Sequence, residues 1–255
     1  MIFMQQRPKP TALKGSSKSG SVYAFLRNAI LDGELAPGAA LRLPALTAEY
    51  GFGLTPLREA LSRLQSDYLV TATHNKGFKV ADVSLAELSD LEQTRAIVDV
   101  TMLLESIDRG DDAWEGQLVA AHHQLSKIPL PAIDEDMSML APWETRHDAF
   151  HAALTSACQS VWLHRLSSQI SAQLKRYYRF INASVRLEAA RRPELRADVS
   201  AILANVMGLQ HHTSLMQAAL DRNGRRAEAL MREHVTLATQ AYLKLATFLQ
   251  NKSAA

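Results

Sequence analysis

The first regular pattern in the chain is a run of apolar residues at helical spacing between Val22 and Ile30. Spacings of three and four positions predict an amphipathic helix, which Gly33 closes. A Pro-Gly pair then predicts a turn into a short extended piece, and LPALTAEYG predicts a second short helix that ends at Gly51. The chain is therefore expected to open with two helices separated by a turn.

A third helix and a hairpin are expected next. We place the N-cap of this helix at Thr55 and Pro56 at its first position, because both residue types are favoured there. Its apolar side chains form one stripe and leave Arg58 on the opposite side. Two extended runs, LVTAT and FKVAD, are joined by HNKG, whose composition predicts a hairpin. This order of helices and hairpin predicts a winged helix-turn-helix.

From Ser84 onward the pattern is almost wholly helical. Ser84 and Glu87 match a capping box, which predicts where the first helix of this part begins. The predicted helices span 85–109, 112–127, 141–158, 160–188, 194–222 and 224–250. We therefore expect a mainly α protein. Its parts are a flexible segment over 1–19, a winged helix-turn-helix domain over 20–83, and an all-helical domain over 84–250.

Composition and charge narrow the class of protein. No stretch approaches the roughly 20 apolar residues of a membrane helix, and the N-terminus lacks the apolar core of a signal peptide. The single cysteine, Cys158, excludes an internal disulfide and is typical of a reducing compartment, so we expect a cytoplasmic protein. Residues 1–84 hold ten Lys or Arg against six Asp or Glu, whereas residues 85–255 hold 18 against 20. A basic first part favours a nucleic-acid reader joined to a separate module.

The third helix begins with side chains suited to reading DNA. A recognition helix enters the major groove by a narrow, polar first turn, where Thr55 and Arg58 lie. Arg58 is expected to donate two hydrogen bonds to guanine. The predicted wing tip, suited to phosphate or minor-groove contact, consists of His74, Asn75, Lys76 and Gly77. Periodicity alone leaves another interpretation open, in which the same helices bind no DNA and Arg58 is an ordinary solvated charge.

The segment that begins VYAFLRNAI and ends NKGFKV resembles the N-terminal domain of the GntR family along its whole length. The shared pieces are the I-x-x-G-x-x-x-P-G segment, the TPLREAL core and the LV strand. The resemblance implies a homodimer on a palindromic operator, with Thr55, Arg58 and His74 at positions that contact DNA. Leu54 stands where the family usually carries a base-reading arginine, so we expect a different operator, with Arg42 supplying charge nearby.

Histidines in the helical part have a spacing that favours a metal site. His147 and His151 are four positions apart and share one helix face. His212 and His234 each lie about eleven residues, or roughly 16 Å, from the turn Asn223-Gly224, so they are level in an antiparallel hairpin. If the first pair packs against this hairpin, the imidazoles converge on one ion. Taken singly, each histidine is better explained as a core or surface residue. The other histidines of this part, expected to be structural or solvated, are His122, His123, His164 and His211.

The runs RHDAFHAAL and HTSLMQAALDRNGRRAEALMREHV resemble the metal-site segments of the FCD domain, found in the FadR-type branch of GntR regulators. That domain is an all-helical bundle that often holds a divalent ion, and the resemblance implies metal ligands at His151, His212 and His234. His147 stands where the family usually has aspartate. Asp148 is about 100° further round the helix and is not expected to replace it. An all-histidine set favours softer ions, so zinc is expected before nickel or manganese.

The resemblance also implies an anionic effector. Arg95 matches a family arginine that faces the cavity, and Tyr178 and Arg179 lie in an aromatic run where a guanidinium suits a carboxylate. An ordinary helix-surface position is the alternative for Arg179. LRLPALTAEY, HNKGFKVADVS and YYRFI are most similar to the carbon-starvation-induced repressors of glutarate and 4-aminobutyrate breakdown. We therefore expect a repressor released by a short dicarboxylate, with binding repositioning the helix over 85–109.

Two other functions are compatible with the histidines. A metallohydrolase needs a general base such as the glutamate of H-E-x-x-H, and between His147 and His151 Asp148 is the sole candidate. Such an enzyme would leave the basic first part unexplained. A regulator for which the ion itself is the signal needs no general base, and titration of metal-stripped protein distinguishes it.

Overall fold

The structure is a computed structural model that describes residues 18–73, 77–130, 132–133, 135 and 139–250. Three residues of the predicted wing tip, His74, Asn75 and Lys76, lie outside the described residues, as does nearly all of the predicted flexible segment. The chain forms two compact units. The first holds the described residues up to Glu87 together with Ala172–Phe180, and the second holds Leu88–Ser171 and the described residues from Ile181 onward.

The first unit is a winged helix-turn-helix, which confirms the predicted fold. Its elements, in order, are α1 (Lys18–Leu31), β1 (Ala40–Leu41), α2 (Leu43–Tyr50), α3 (Leu54–Ser66), β2 (Val70–Thr73) and β3 (Gly77–Val80). Strand β3 lies between β1 and β2 and is antiparallel to both. Helix α1 packs against α3, whose predicted apolar stripe is fully buried. The opposite side of α3 is left to the solvent.

Helix α3 begins earlier than predicted. Its N-cap is Gly53, in extended backbone, so Thr55 is the second helical residue and Pro56 the third. The Gly53 carbonyl accepts the first helical hydrogen bond, from the Leu57 N–H, at 3.1 Å. Proline is tolerated at the third position because the N–H groups of a first turn have no partner within the helix. The predicted N-cap at Thr55 is therefore wrong by two residues.

Helices make up nearly all of the rest of the described chain. They are α4 (Leu85–Arg109), α5 (Asp112–Ser126), α6 (Leu140–Leu154), α7 (Val161–Arg191), α8 (Arg196–Met207), α9 (Leu209–Leu220) and α10 (Gly224–Gln250). Helix α5 packs against α6 and α9, and α10 packs against α8 and α9. None of the described helices has both the length and the apolarity to cross a membrane. This is the predicted all-helical bundle.

The helix predicted over 194–222 is two helices, α8 and α9. They are separated by Gly208, whose backbone is extended (φ −62°, ψ 146°). A Cβ at this position would lie 2.8 Å from the Ala204 carbonyl oxygen, so a side chain does not fit the turn. The break places His212 in the first turn of α9, next to the carbonyl of Gly208.

Candidate functional site

The start of α3 presents an exposed set of side chains. Thr55 and Arg58 are exposed in its first two turns, and Leu54 beside them is 51% exposed. Arg42 is also exposed, as the N-cap residue of α2. Gly77, the described member of the wing tip, opens β3 with a left-handed backbone (φ +83°). The first unit therefore exposes the start of α3 to solvent.

Four histidines from three helices come together in the second unit. His147 and His151 lie on α6, His212 on α9 and His234 on α10. One nitrogen from each of them lies within 4.8 Å of the corresponding nitrogens of the other three. The Nε2 atoms of His147 and His151 are 3.1 Å apart, and the rings of His212 and His234 are 4.8 Å apart between centroids. The four histidines therefore form one cluster.

Aromatic side chains of α6 enclose the cluster. Trp143 stacks on His147, with 4.6 Å between ring centroids and 20° between planes. Phe150 meets the rings of His151 and His212 edge-on, at 5.4 and 5.3 Å. These rings shield the imidazoles from water, which makes a charge among them costly unless it is compensated.

Burial keeps the histidines neutral. It lowers the pKa of His151 and of His234 well below the ordinary 6.5, and the neighbouring imidazoles lower both further. Burial also lowers the pKa of His212 to about 3, and that of His147. At pH 7 each ring therefore carries a lone pair, which is the form that binds a metal ion.

His212 provides the test of whether the cluster fits a metal. Its Nδ1 lies 3.0 Å from the Gly208 carbonyl oxygen, which accepts hydrogen bonds and never donates, so Nδ1 carries the proton. The lone pair is then on Nε2, which is fully buried and has no hydrogen-bond partner among the described residues. A buried acceptor without a partner is costly, and an ion at the cluster removes that cost. The donors fit a divalent ion that accepts nitrogen ligands.

His147, which stands where the resemblance implies aspartate, has Asp148 beside it. Its Nδ1 is 3.8 Å from a carboxylate oxygen of Asp148, whose side chain is 64% exposed. Asp148 therefore lies behind His147 rather than in the cluster.

Arg95 lies on α4, near the histidines, between two carboxylates. Its Nε donates to Asp99 at 3.0 Å, and a terminal nitrogen is 3.8 Å from Glu92. Its positive charge lowers the pKa of His147, His151 and His234. Burial raises the pKa of Glu92 to about 7, although Arg95 acts in the opposite direction. Arg95 is thus held in place by groups on its own helix.

Glu92 and Asp99 are site residues that the sequence analysis missed. Both are buried, and they lie three positions before and four positions after Arg95. Acidic residues at these spacings share a helix face with the arginine and pair with it, which is the signal that identifies them.

Tyr178 and Arg179 belong to a different unit from the histidines. Both belong to the stretch of α7 that folds with the first unit, whereas the histidines belong to the second. Arg179 forms an ion pair with Asp32, the residue that follows α1. The guanidinium that was predicted to hold the effector is therefore paired with a carboxylate of the chain itself.

A winged helix-turn-helix joined to a helical bundle is the architecture of a DNA-binding regulator with a second, all-helical domain. Residues 18–80 match the family model described as bacterial regulatory proteins, gntR family, and residues 90–237 match that of the FCD domain. The chain belongs to the GntR family of bacterial regulatory proteins and carries an FCD domain.

Curated relatives agree over most of the chain. The HTH-type transcriptional repressor GlaR of Escherichia coli K12 is 37% identical, over 84% of this chain and 90% of the relative. The HTH-type transcriptional regulator BphR of Paraburkholderia xenovorans LB400 is 31% identical, over 91% and 88%. Among solved structures, a GntR regulator from Rhodococcus sp. RHA1 has a TM-score of 0.64 at 21% identity, covering 90% of this chain and 99% of that one. The protein is a DNA-binding transcriptional regulator, which rules out the metallohydrolase alternative.

Proposed function

We propose that this regulator is a homodimeric repressor that leaves its palindromic operator when a short dicarboxylate binds in the second unit, at a metal ion held by four histidines. The observation that carries the proposal is the convergence on one point of four neutral imidazoles, two of them buried and two half-buried. Repression is supported by the relative GlaR, which is named a repressor. Glutarate is the first effector to test, because the resemblance to glutarate repressors is carried by several segments of the chain.

The histidines and Arg95 together suit an anion. His147, His151, His212 and His234 would hold the ion, with zinc favoured over manganese because every ligand is a neutral nitrogen. When bound, the ion would supply a positive centre, to which a carboxylate would add as a ligand beyond the four nitrogens. Arg95 adds a second positive charge, oriented by Asp99, on the side of α4.

Titration of metal-stripped protein tests the metal site. We expect zinc to bind with one ion per chain. His212→Asn should weaken binding at least as much as the roughly 10–100-fold that loss of a ligand's hydrogen-bond partner costs, because here a ligand itself is lost. His211→Asn is the matched control, since His211 lies next to His212 in α9 but outside the cluster. Equal zinc affinity in the two variants would contradict the proposed ligand set.

A gel shift tests the effector. Duplex DNA from upstream of the chain's own gene is bound by zinc-loaded protein, and glutarate is then added. We expect release of the DNA with glutarate and no release with acetate, which lacks the second carboxylate. Retention of the DNA with every dicarboxylate of four to six carbons would remove the effector from the proposal and leave the metal site standing.

The cluster itself favours a second candidate, in which the ion is the signal. All four ligands are histidines, so zinc binding requires no anion from an effector to complete a protein ligand set. In the same gel shift, zinc added to metal-stripped protein distinguishes the two. A change in DNA affinity with zinc alone favours this candidate, whereas a change that needs glutarate favours the first.

The reading of DNA is assigned to the exposed start of α3. We expect Arg58→Ala to weaken operator binding and to relax the preference at one base pair by about 1–3 kcal/mol. Arg63→Ala is the matched control, because Arg63 lies in the last turn of α3 and packs 4.1 Å over the ring of Tyr23. A dimer also predicts a footprint of two half-sites about 34–36 Å apart. Equal loss of base preference in both variants would contradict the role of Arg58.

A further inference from the structure

One face of α7 is polar and yet buried within the first unit. Gln173, Arg176 and Tyr177 are 6%, 2% and 1% exposed. Their spacing of three and four positions places them on one side of the helix. Buried polar groups are costly unless they are hydrogen-bonded, so the partners of this face indicate what it does.

Two of these side chains hold backbone carbonyls of the winged helix-turn-helix. Gln173 Nε2 donates to the carbonyl oxygen of Asp67 at 2.6 Å, and Asp67 is the C-cap residue of α3. Arg176 Nη1 donates to the carbonyl oxygens of Ala81 and Asp82 at 2.5 and 3.0 Å, where the chain leaves β3. The end of the recognition helix and the exit of the wing are therefore held by adjacent turns of α7.

The third side chain holds the start of α4. The Tyr177 hydroxyl accepts from the Ser84 N–H at 3.3 Å and donates to the Glu87 carboxylate. In the predicted capping box Glu87 would return to Ser84 directly, whereas here the tyrosine bridges the two. Ser84 still makes its half of the box, since its hydroxyl accepts from the Glu87 N–H at 3.1 Å. The beginning of α4 therefore depends on α7 for its cap.

The same helix continues into the second unit. Asn182, five residues after Tyr177 and 4% exposed, donates from Nδ2 to the Tyr242 hydroxyl on α10 at 3.3 Å. Helix α10 also carries His234, eight residues before Tyr242, which corresponds to about 12 Å along the helix. Helix α7 is uninterrupted from Val161 to Arg191. One continuous helix thus carries both the contact to the histidine-bearing helix and the hydrogen bonds to the end of the recognition helix.

We propose that Gln173, Arg176 and Tyr177 are positioning residues through which α7 sets the recognition helix, and that a shift of α10 at Tyr242 reaches α3 through Asn182 and α7. The part about α10 rests on the proposed function, since ligand binding at His234 would be the source of such a shift. The hydrogen bonds by which α7 holds the first unit are observed directly and do not depend on the proposed function. Coupling then runs along α7 in addition to α4, the helix that the sequence indicated.

A double-mutant cycle on DNA affinity tests this coupling without any ligand. The variants are Gln173→Leu and Asn182→Leu, and the probe is a duplex enriched from random-sequence DNA by wild-type protein. The two positions are nine residues, or about 13.5 Å, apart along α7, a distance at which uncoupled substitutions act additively. Gln169→Leu is the matched control, because Gln169 lies one turn before Gln173 and is exposed.

The expected result is non-additive. Asn182→Leu changes DNA affinity by at least about threefold in the wild-type and Gln169→Leu backgrounds, and has little effect once Gln173→Leu has removed the hydrogen bond to Asp67. The same change in all three backgrounds, or no effect of Asn182→Leu in the wild type, overturns the proposal. If Gln173→Leu is recovered unfolded by circular dichroism, Gln173→Asn, whose shorter side chain does not reach Asp67, takes its place in the cycle. Because no zinc or glutarate is added, failure of the effector assignment and failure of this coupling give different results.

Discussion

Leu54 exposes an apolar side chain at the point where a recognition helix meets bases. It is 51% exposed at the first position of α3, outside the core of its unit. An apolar side chain in the major groove contacts the thymine methyl group, whereas arginine pairs with guanine. We therefore expect Leu54→Arg to shift the preference at one operator position from thymine to guanine by about 1–3 kcal/mol. Parallel selections from random-sequence DNA measure this shift, and identical consensus sequences from the two proteins would exclude a base contact by Leu54.

Glu92 makes the stability of the second unit depend on pH, and one substitution separates its contribution from those of other groups. Its pKa is raised to about 7 from an ordinary 4.5, chiefly by burial, so the folded protein holds this proton more tightly than the unfolded chain does. The resulting stabilisation is complete below pH 4.5 and is lost as the pH rises through 7. Glutamine mimics the protonated acid, so the advantage of Glu92→Gln over the wild type should grow by on the order of 2–3 kcal/mol between pH 5 and 8.

Urea unfolding of both metal-free proteins across this pH range measures the growth. The histidines contribute equally to the pH dependence of both proteins, so their contribution cancels in the difference between the two unfolding free energies. A difference that stays constant with pH would mean that Glu92 does not ionise between pH 5 and 8 in the folded protein.

At the scale of elements, the turn between α4 and α5 depends on one glycine. A Cβ on Gly110 would lie 2.2 Å from the Trp114 ring and 2.7 Å from the Ser106 carbonyl oxygen. Trp114 has no room to move, because its Nε1 donates to the Ala153 carbonyl at 3.0 Å and it is 3% exposed. We expect Gly110→Ala to lower the free energy of unfolding by about 2–3 kcal/mol.

Gly116 is the matched control for this substitution. It lies inside α5 with nothing within 4 Å of an added Cβ. Gly116→Ala should therefore raise stability by about 0.5–1 kcal/mol, because glycine is a poor helix former. Chemical denaturation of both variants checks the pair, and a loss from Gly116→Ala equal to that from Gly110→Ala would rule out the clash as the cause.

Helical periodicity predicts most elements well and fails where tertiary contacts decide. Helices α4, α5 and α10 begin and end close to their predicted positions, because glycine and polar caps mark their ends. The break between α8 and α9 was missed because Gly208 stands within an otherwise helical pattern. Glycine is required there by the close approach of the Ala204 carbonyl oxygen, which is a contact of the folded chain. Helical spacing and the family resemblance together were enough to predict that the four histidines lie close together. They were not enough to predict the partner of Arg179. Asp32 is 147 residues away in sequence, and no local pattern indicates such a pair.

At the scale of the whole molecule, the division into units does not follow the order of the chain. Nine residues of α7, Ala172–Phe180, belong with the winged helix-turn-helix, and the same helix continues into the second unit on both sides. Unfolding of the first unit must therefore release the middle of a helix whose two ends belong to the second. We expect this shared helix to make the two units unfold as one cooperative transition.

Zinc provides a way to measure that cooperativity, because the proposed ligands all lie in the second unit. All three tryptophans, Trp114, Trp143 and Trp162, also lie there, so their fluorescence reports that unit alone. Hydrogen exchange at the buried centre of α3, around Leu61, reports the first unit.

Zinc at about 100 times its dissociation constant should add about 2.7 kcal/mol to the free energy of unfolding. With one cooperative transition, the tryptophan signal and the most protected amides of α3 gain the same amount, and His212→Asn reduces both gains equally. A gain confined to the tryptophans would mean that the units unfold independently, and would leave α7 to fray between them.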